Sequence, residues 1–394
     1  MYYSITAKKD ATIYERSESL NSGIDEILEI QKVVSASSTA DILNSRILIK
    51  FPLGEISRSV VNGSITNATY SLCLYTVQAK GLAYKYGLEA YPVSQSWEMG
   101  KGRTQTKKLS NSGALVFEEE GVSWKYRDGK EYFGNTWATE SYSPGNTTGS
   151  FATIGGGGTW FTGSVNNIVY TCAQDFDYEQ TDVKINVTPI VEDWLNGTNP
   201  NEGFIVFRKN AHQSHPSDIE TNEEKNGRPY GHLQYFSTET HTVYQPKLAV
   251  TWPDSSFNTG SLSPLDIAKD NIVYVKNKRK NYNKDSRERF RIVGREKYPT
   301  KTYDTVSAEL AVKYMPSTSY YAVKDMTTDE IVIPFNTSST VISCDSQGNY
   351  FDLWMKQFYA ERRYGFVFKV INGSLESPTI QRYYNSDYTF KVVR

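Results

Sequence analysis

The chain has 394 residues, with 43 Lys and Arg against 44 Asp and Glu, so its overall charge points to neither a nucleic-acid nor a membrane partner. Apolar residues make up 38 %, low for a globular chain, yet the aromatic share of 13 % speaks against disorder. The length suggests two or three domains, and no window nears the ~18 uninterrupted apolar residues of a membrane span.

The dominant period in the first two thirds is two. Short β-branched or aromatic runs occur at 25–30, 46–51, 69–75, 183–187, 204–207 and 247–252, separated by Gly, Asn, Pro and Ser clusters. Each predicts a strand. One helix is expected over Pro189–Leu195, with Thr188 as cap, Pro189 in the first turn and Asn196-Gly197 as stop. Its Ile190, Trp194 and Leu195 would share a face. A weaker helix is expected over Asp352–Glu361. Residues 253–265 are rich in small, turn-forming types and read as a linker. After it, strands are expected at 305–312, 319–323, 330–334, 364–370 and 388–393.

The fold expected is therefore all-β. A large jelly-roll-like β-sandwich occupies 1–252, with polar insertions near 100–165 and 209–231. The linker leads to a smaller immunoglobulin-like β-sandwich over 266–394. The final strand, Tyr388–Val393, has nothing after it in sequence to cover its edge. A neighbouring chain is the expected cover, with Tyr388 and Phe390 as contact residues.

Four groups of residues invite a chemical reading. All the histidines fall between 212 and 241: His212, His215, His232 and His241. With Asp218, Glu220 or Glu239 they could hold a transition metal. A polar loop gives ligands little support, so solvated histidines and no metal are expected. Gly155–Gly158 lacks the Gly-Lys-Ser/Thr of a phosphate loop. It reads as a flexible arm whose Trp160 and Phe161 anchor on a neighbour, or as a loop folded over its own sandwich. Residues 276–297 hold ten basic and three acidic side chains with Tyr274, Tyr282 and Phe290 interleaved. Plain exposure, or contact with an acidic protein surface, is expected there rather than nucleic acid. Carboxylate neighbours such as Glu192/Asp193 and Glu118–Glu120 sit in no catalytic frame, and no hydrolase or metalloprotease motif occurs. An enzyme and a cofactor are not expected. Cys73, Cys172 and Cys344 form no disulfide framework, and the first ten residues lack the order of a signal peptide.

Several segments together carry a resemblance. Asp10–Tyr14 with Asn21-Ser-Gly-Ile-Asp25, then Ser45–Phe51, then Leu88–Pro92, Ser96-Trp97-Glu98 and Gly121–Trp124 follow one another. Asp182–Gly197 with Glu202–Phe204, and Phe236–Glu239 through Pro246–Val250, complete the series. In order and spacing residues 4–252 resemble the DNRLRE domain, a carbohydrate-binding-module-like β-sandwich. With Phe290–Pro299, Tyr320–Asp325 and Ser343–Phe351 the whole chain also resembles a large virion structural protein of T4-like marine phages, cyanophages among them. The resemblance implies a non-catalytic part of the particle, at the neck, collar or baseplate periphery. Its partners would be other virion proteins and copies of itself. It also implies host glycans as an alternative ligand, held on exposed aromatics such as Trp97, Trp124, Trp137 or Trp160.

Overall fold

The computed structural model describes residues 1–34, 42–104, 108–109, 115–116, 120–129, 134–137, 148–149, 157–163, 169–177, 180–209, 221–300, 311–373 and 378–394. It is 47 % strand and 6 % helix, which makes the protein mostly β. No helix among the described residues is long and apolar enough to cross a membrane.

Four larger sheets carry the fold. The most extensive runs in the order Ala173–Asp177, Lys85–Pro92, Phe204–Arg208, Ile42–Lys50, Ile27–Val34, Gly231–Phe236 and Thr76–Lys80. Lys9–Tyr14 pairs with Ile42–Lys50 beside it. A four-stranded sheet has the order Tyr2–Thr6, Lys247–Thr251, Thr69–Leu74 and Val183–Asn186. Alternation sets the faces: Val183 and Ile185 point inward, Lys184 and Asn186 outward. Two further sheets follow. One is built around Arg287–Glu296 and Gly348–Trp354, the other around Arg363–Gly373 and Pro378–Val393. Two of their pairings are parallel, so both sheets are mixed.

Contacts divide the chain into two compact units. The first is Ile5–Ser64 with Thr69–Ala249; the second is Val250–Arg394, with which Met1–Ser4 and Ile65–Ala68 cluster. The second has a phenylalanine core. Phe290 and Phe366 meet edge to face with centroids 4.9 Å apart, and Tyr321 stacks on Phe351 at 4.0 Å. Such pairs contribute about 0.5–1.5 kcal/mol each beyond their burial.

Some local expectations are revised. The helix spans Thr188–Leu195, here α2, with Val187 at its N-cap. Thr188 does not cap it: its hydroxyl donates to Asn186 Oδ1 and accepts from the Tyr70 backbone N–H at 2.9 Å, which ties the helix start to a strand. The buried face is Ile190, Val191 and Trp194, while Leu195 is only half-buried. A helix with no strong sequence signal, α1, covers Gly54–Val61 and buries Ile56. Asp352–Glu361 is not a helix: strand Gly348–Trp354 runs into it and one 3₁₀ turn, Met355–Gln357, follows. Residues 253–265 bond onto neighbouring strands. Asn258 N–H donates to Cys344 O at 2.9 Å, and Ser263–Pro264 pairs with Lys313–Tyr314. A few side chains add to this: Phe257 meets Tyr314 edge to face at 6.1 Å, and Leu265 is buried in the core of the second unit. The strand expected at 305–312 falls mostly outside the described residues.

Candidate functional site

The first unit carries a polar groove of about 350 Å³ whose lining includes Tyr14, Asp25, Glu26, Glu29, Arg103 and Gln234. Its floor is set by strand pairing, which puts Gln234 opposite Glu29. Tyr14 OH donates to Glu29 Oε2 at 2.7 Å, and Gln234 Nε2 donates to Glu29 Oε1 at 2.7 Å. His232 Nε2 lies 3.2 Å from the same Oε1. Burial works against ionising Glu29, but His232, Gln234 and Tyr14 together outweigh it and hold the carboxyl down at about 2. Glu29 is thus a fixed anion. Asp25 accepts from the Thr104 backbone N–H at 3.1 Å, and burial raises its carboxyl. Glu26 is the exposed member of the rim, its side chain 53 % accessible, with His241 Nε2 at 3.8 Å.

What shapes this groove is Asn21. It is buried, its Nδ2 donates to Met99 O at 2.8 Å and Val122 O at 2.7 Å, and its Oδ1 accepts from Gly102 N–H at 2.7 Å. Two loops distant in sequence are stapled to one amide. Gly121, at φ +145°, makes the close approach possible, since a Cβ there would lie 2.5 Å from Asn21 Nδ2.

A second polar cluster lies inside the same unit. Arg46 is buried and gives Nε and Nη2 to the two oxygens of Glu224, at 3.0 and 2.5 Å, and Nη1 to Gly157 O at 2.6 Å. Its guanidinium lies 4.9 Å from the Trp124 ring centre and 5.3 Å from those of Trp160 and Phe207. Lys32 gives its ammonium to the carbonyls of Glu223, Glu224 and Asn226, and burial lowers it to about 8. Glu223 accepts from Gly87 N–H at 3.0 Å, and burial raises its carboxyl to about 7. These groups clamp the segment after residue 220 onto the sheets.

The residues singled out from sequence land as follows. His212 and His215 lie outside the described residues; His232 and His241 do not converge, each lying near a different glutamate. Among the described residues no group of three or more metal-ligating side chains gathers. Trp160 is fully buried against Phe207 at 5.0 Å, and Phe161 is half-buried. Gly157–Gly163 is therefore seated on its own unit; the rest of the arm lies outside the described residues. Trp97, Trp124 and Trp137 are interior too, so none of the four tryptophans offers a free stacking face. Tyr388 and Phe390 belong to the second core. The end of the last strand has a partner within the chain, since Asn281–Asn283 pairs in parallel with Lys391–Val393. The basic stretch divides in two. Arg287 and Arg289 pair with Asp352, and Arg291 pairs with Asp345. Lys276, Lys278, Lys280 and Lys284 around the next turn have no carboxylate within ion-pair distance among the described residues.

The quoted sequence segments meet one another in this fold. Asp10 accepts from both the N–H and the hydroxyl of Thr238, and Trp97 Nε1 donates to Glu202 O at 2.8 Å. Sequence reading missed Tyr14, Glu29 and Gln234 as a group, because a cross-strand register brings them together and no motif spacing records it. A scan against protein-family models finds none that matches the chain, and no curated protein matches it.

Proposed function

We propose that the chain is a non-catalytic structural component of a tailed phage particle, at the neck, collar or baseplate periphery, acting through protein–protein contacts. The finer fold names, a jelly-roll-like sandwich and an immunoglobulin-like one, belong to the same reading. The observation that carries it is where the recognisable residues go. Asp10, Asn21, Arg46, Trp97 and Glu202 spend their polar groups joining one segment of the first unit to another. Side chains used this way hold a scaffold in shape. Mass spectrometry of purified particles tests the reading: the chain is expected as a stoichiometric component, and its absence from infectious particles overturns the proposal.

A second reading has its own support. The groove rim offers Asp25, Glu26, Arg103 and Gln234, a mix of acceptors and donors suited to sugar hydroxyls. As an alternative we propose a carbohydrate-binding module for host-surface attachment, placed here rather than on the interior tryptophans. Folded protein on a glycan array should then bind, and Glu26→Ala with Gln234→Ala should abolish binding. A blank array removes this reading.

A further inference from the structure

Strands Ile27–Val34 and Ile42–Lys50 run antiparallel, and their register sets Lys32 directly opposite Asn44. The Cβ atoms of residues paired in this way lie about 4.5–5.5 Å apart, with both side chains on one face of the sheet. Lys32 is 0 % exposed and Asn44 6 %. Both side chains reach the same oxygen. Lys32 Nζ donates to Glu224 O, and Asn44 Nδ2 donates to it at 3.3 Å. A lysine amine and a carboxamide are thus buried neighbours across one carbonyl.

Glu15 completes the group. Its Oε2 accepts from Asn44 Nδ2 at 2.8 Å, which places a carboxyl on the nitrogen of that carboxamide. Asn44 Oδ1 is buried and accepts no hydrogen bond among the described residues. Buried polar groups are ordinarily satisfied, so a carboxamide held only through its nitrogen stands out. Burial favours the neutral amine of Lys32, against the attraction of Glu224, Glu15 and Glu223, and Arg208 adds repulsion to the ammonium. Burial likewise favours the protonated form of Glu15. Both effects lead toward the forms that acyl transfer needs: an amine with a lone pair, and a carboxyl able to carry a proton.

We propose that Lys32 and Asn44 join in an intramolecular isopeptide bond, with Glu15 as the proton carrier. The lone pair of Lys32 Nζ attacks Asn44 Cγ, and the carbonyl π electrons move onto Oδ1. Glu15 takes a proton from the attacking nitrogen and delivers it to Nδ2. The carbonyl then re-forms, the Cγ–Nδ2 bond breaks with its electron pair on nitrogen, and ammonia leaves. Counted from the lysine ammonium, the positive charge departs as ammonium. No oxidant, metal or co-reactant enters the balance. Strand pairing replaces a chance encounter of the two groups, and their burial keeps water from hydrolysing the carboxamide instead. The bond fixes the register of two neighbouring strands and removes a cation from the interior. It forms once per chain, without turnover, so it is compatible with both readings above and rests on neither.

Mass spectrometry of the denatured full chain tests the proposal. Wild-type protein, folded and kept at neutral pH, should weigh less than its sequence by one ammonia. Its tryptic digest should contain a branched peptide whose fragments place the link between Lys32 and Asn44, with no cleavage after Lys32. Lys32→Arg, Asn44→Ala and Glu15→Gln should each keep the full mass of their own sequence. Circular dichroism reports which variants fold, and the wild-type arm stands without them. Folded wild-type protein at its full mass, with Lys32 and Asn44 on separate peptides, overturns the proposal. So does an ammonia loss that persists undiminished in Lys32→Arg, or a Glu15→Gln chain that forms the link as completely as wild type.

Discussion

Arg46 shows how a single residue can hold several segments of this unit together. Its fork joins strand Ile42–Lys50 to Glu224 in one loop and to Gly157 in another, inside a cage of three aromatic rings. Removing one partner of a buried pair leaves the other charge uncompensated, at a cost of about 3–5 kcal/mol. Arg46→Leu should therefore lower stability to urea by that order. Arg46→Lys should rescue little, because an ammonium cannot bond a carboxylate bidentately and a carbonyl at once. Gly157 is part of the same device: at φ +89°, a Cβ there would lie 2.7 Å from Arg46 Nη1. Asn21→Ala should cost about 2 kcal/mol or more, since it leaves the Gly102 N–H and two carbonyls without their partner.

Three carboxyls shape the pH dependence at this scale. Burial raises Asp10 to about 7 despite its two hydrogen bonds from Thr238, and burial raises Glu223 likewise. Folded-state values above the unfolded ones mean that the native protein binds more protons between about pH 4 and 7. Stability from these groups therefore increases as pH falls through that window. Glu29 has the opposite sign: held at about 2, it contributes stability above its unfolded value of 4.5, and that is lost as pH falls toward 2. Thermal melts should show rising stability from pH 7 to about 5, then a decline in stronger acid. Asp10→Asn should flatten the rise. A slope unchanged in that variant would assign the effect elsewhere.

At the scale of elements, the aromatic anchors expected for partners serve the fold itself. Trp160 is buried against Phe207 and Arg46, so Trp160→Ala should cost about 3–5 kcal/mol, and a deletion reaching Gly163 should unfold the first unit. The closing strand behaves the same way. Truncation before Tyr388 removes Tyr388, Phe390 and Val392 from the core and the partner of Asn281–Asn283, so the second unit should lose its cooperative melt. Strands such as Thr69–Leu74, Phe204–Arg208 and Lys247–Thr251 were legible because one or both faces are buried and the pattern says so. Strand Arg287–Glu296 was hidden by its outward arginines, whose carboxylate partners Asp352 and Asp345 lie on two other strands. The groove was not legible at all: Tyr14, Glu29 and Gln234 meet through register, and Asn21 acts on loops about 80 to 100 residues away.

For the whole molecule, two β units with internal aromatic cores suit the building block proposed above. Contacts between such blocks would draw on exposed faces, which carry scattered rings such as Tyr84, Tyr298 and Tyr383 as well as charge. The most direct measurement is electron imaging of intact particles at side-chain resolution. Density for this chain should appear in repeated copies near the neck, collar or baseplate, with Arg46 and Trp160 inside the first unit. A complete particle with no density for the chain would contradict the proposed structural role.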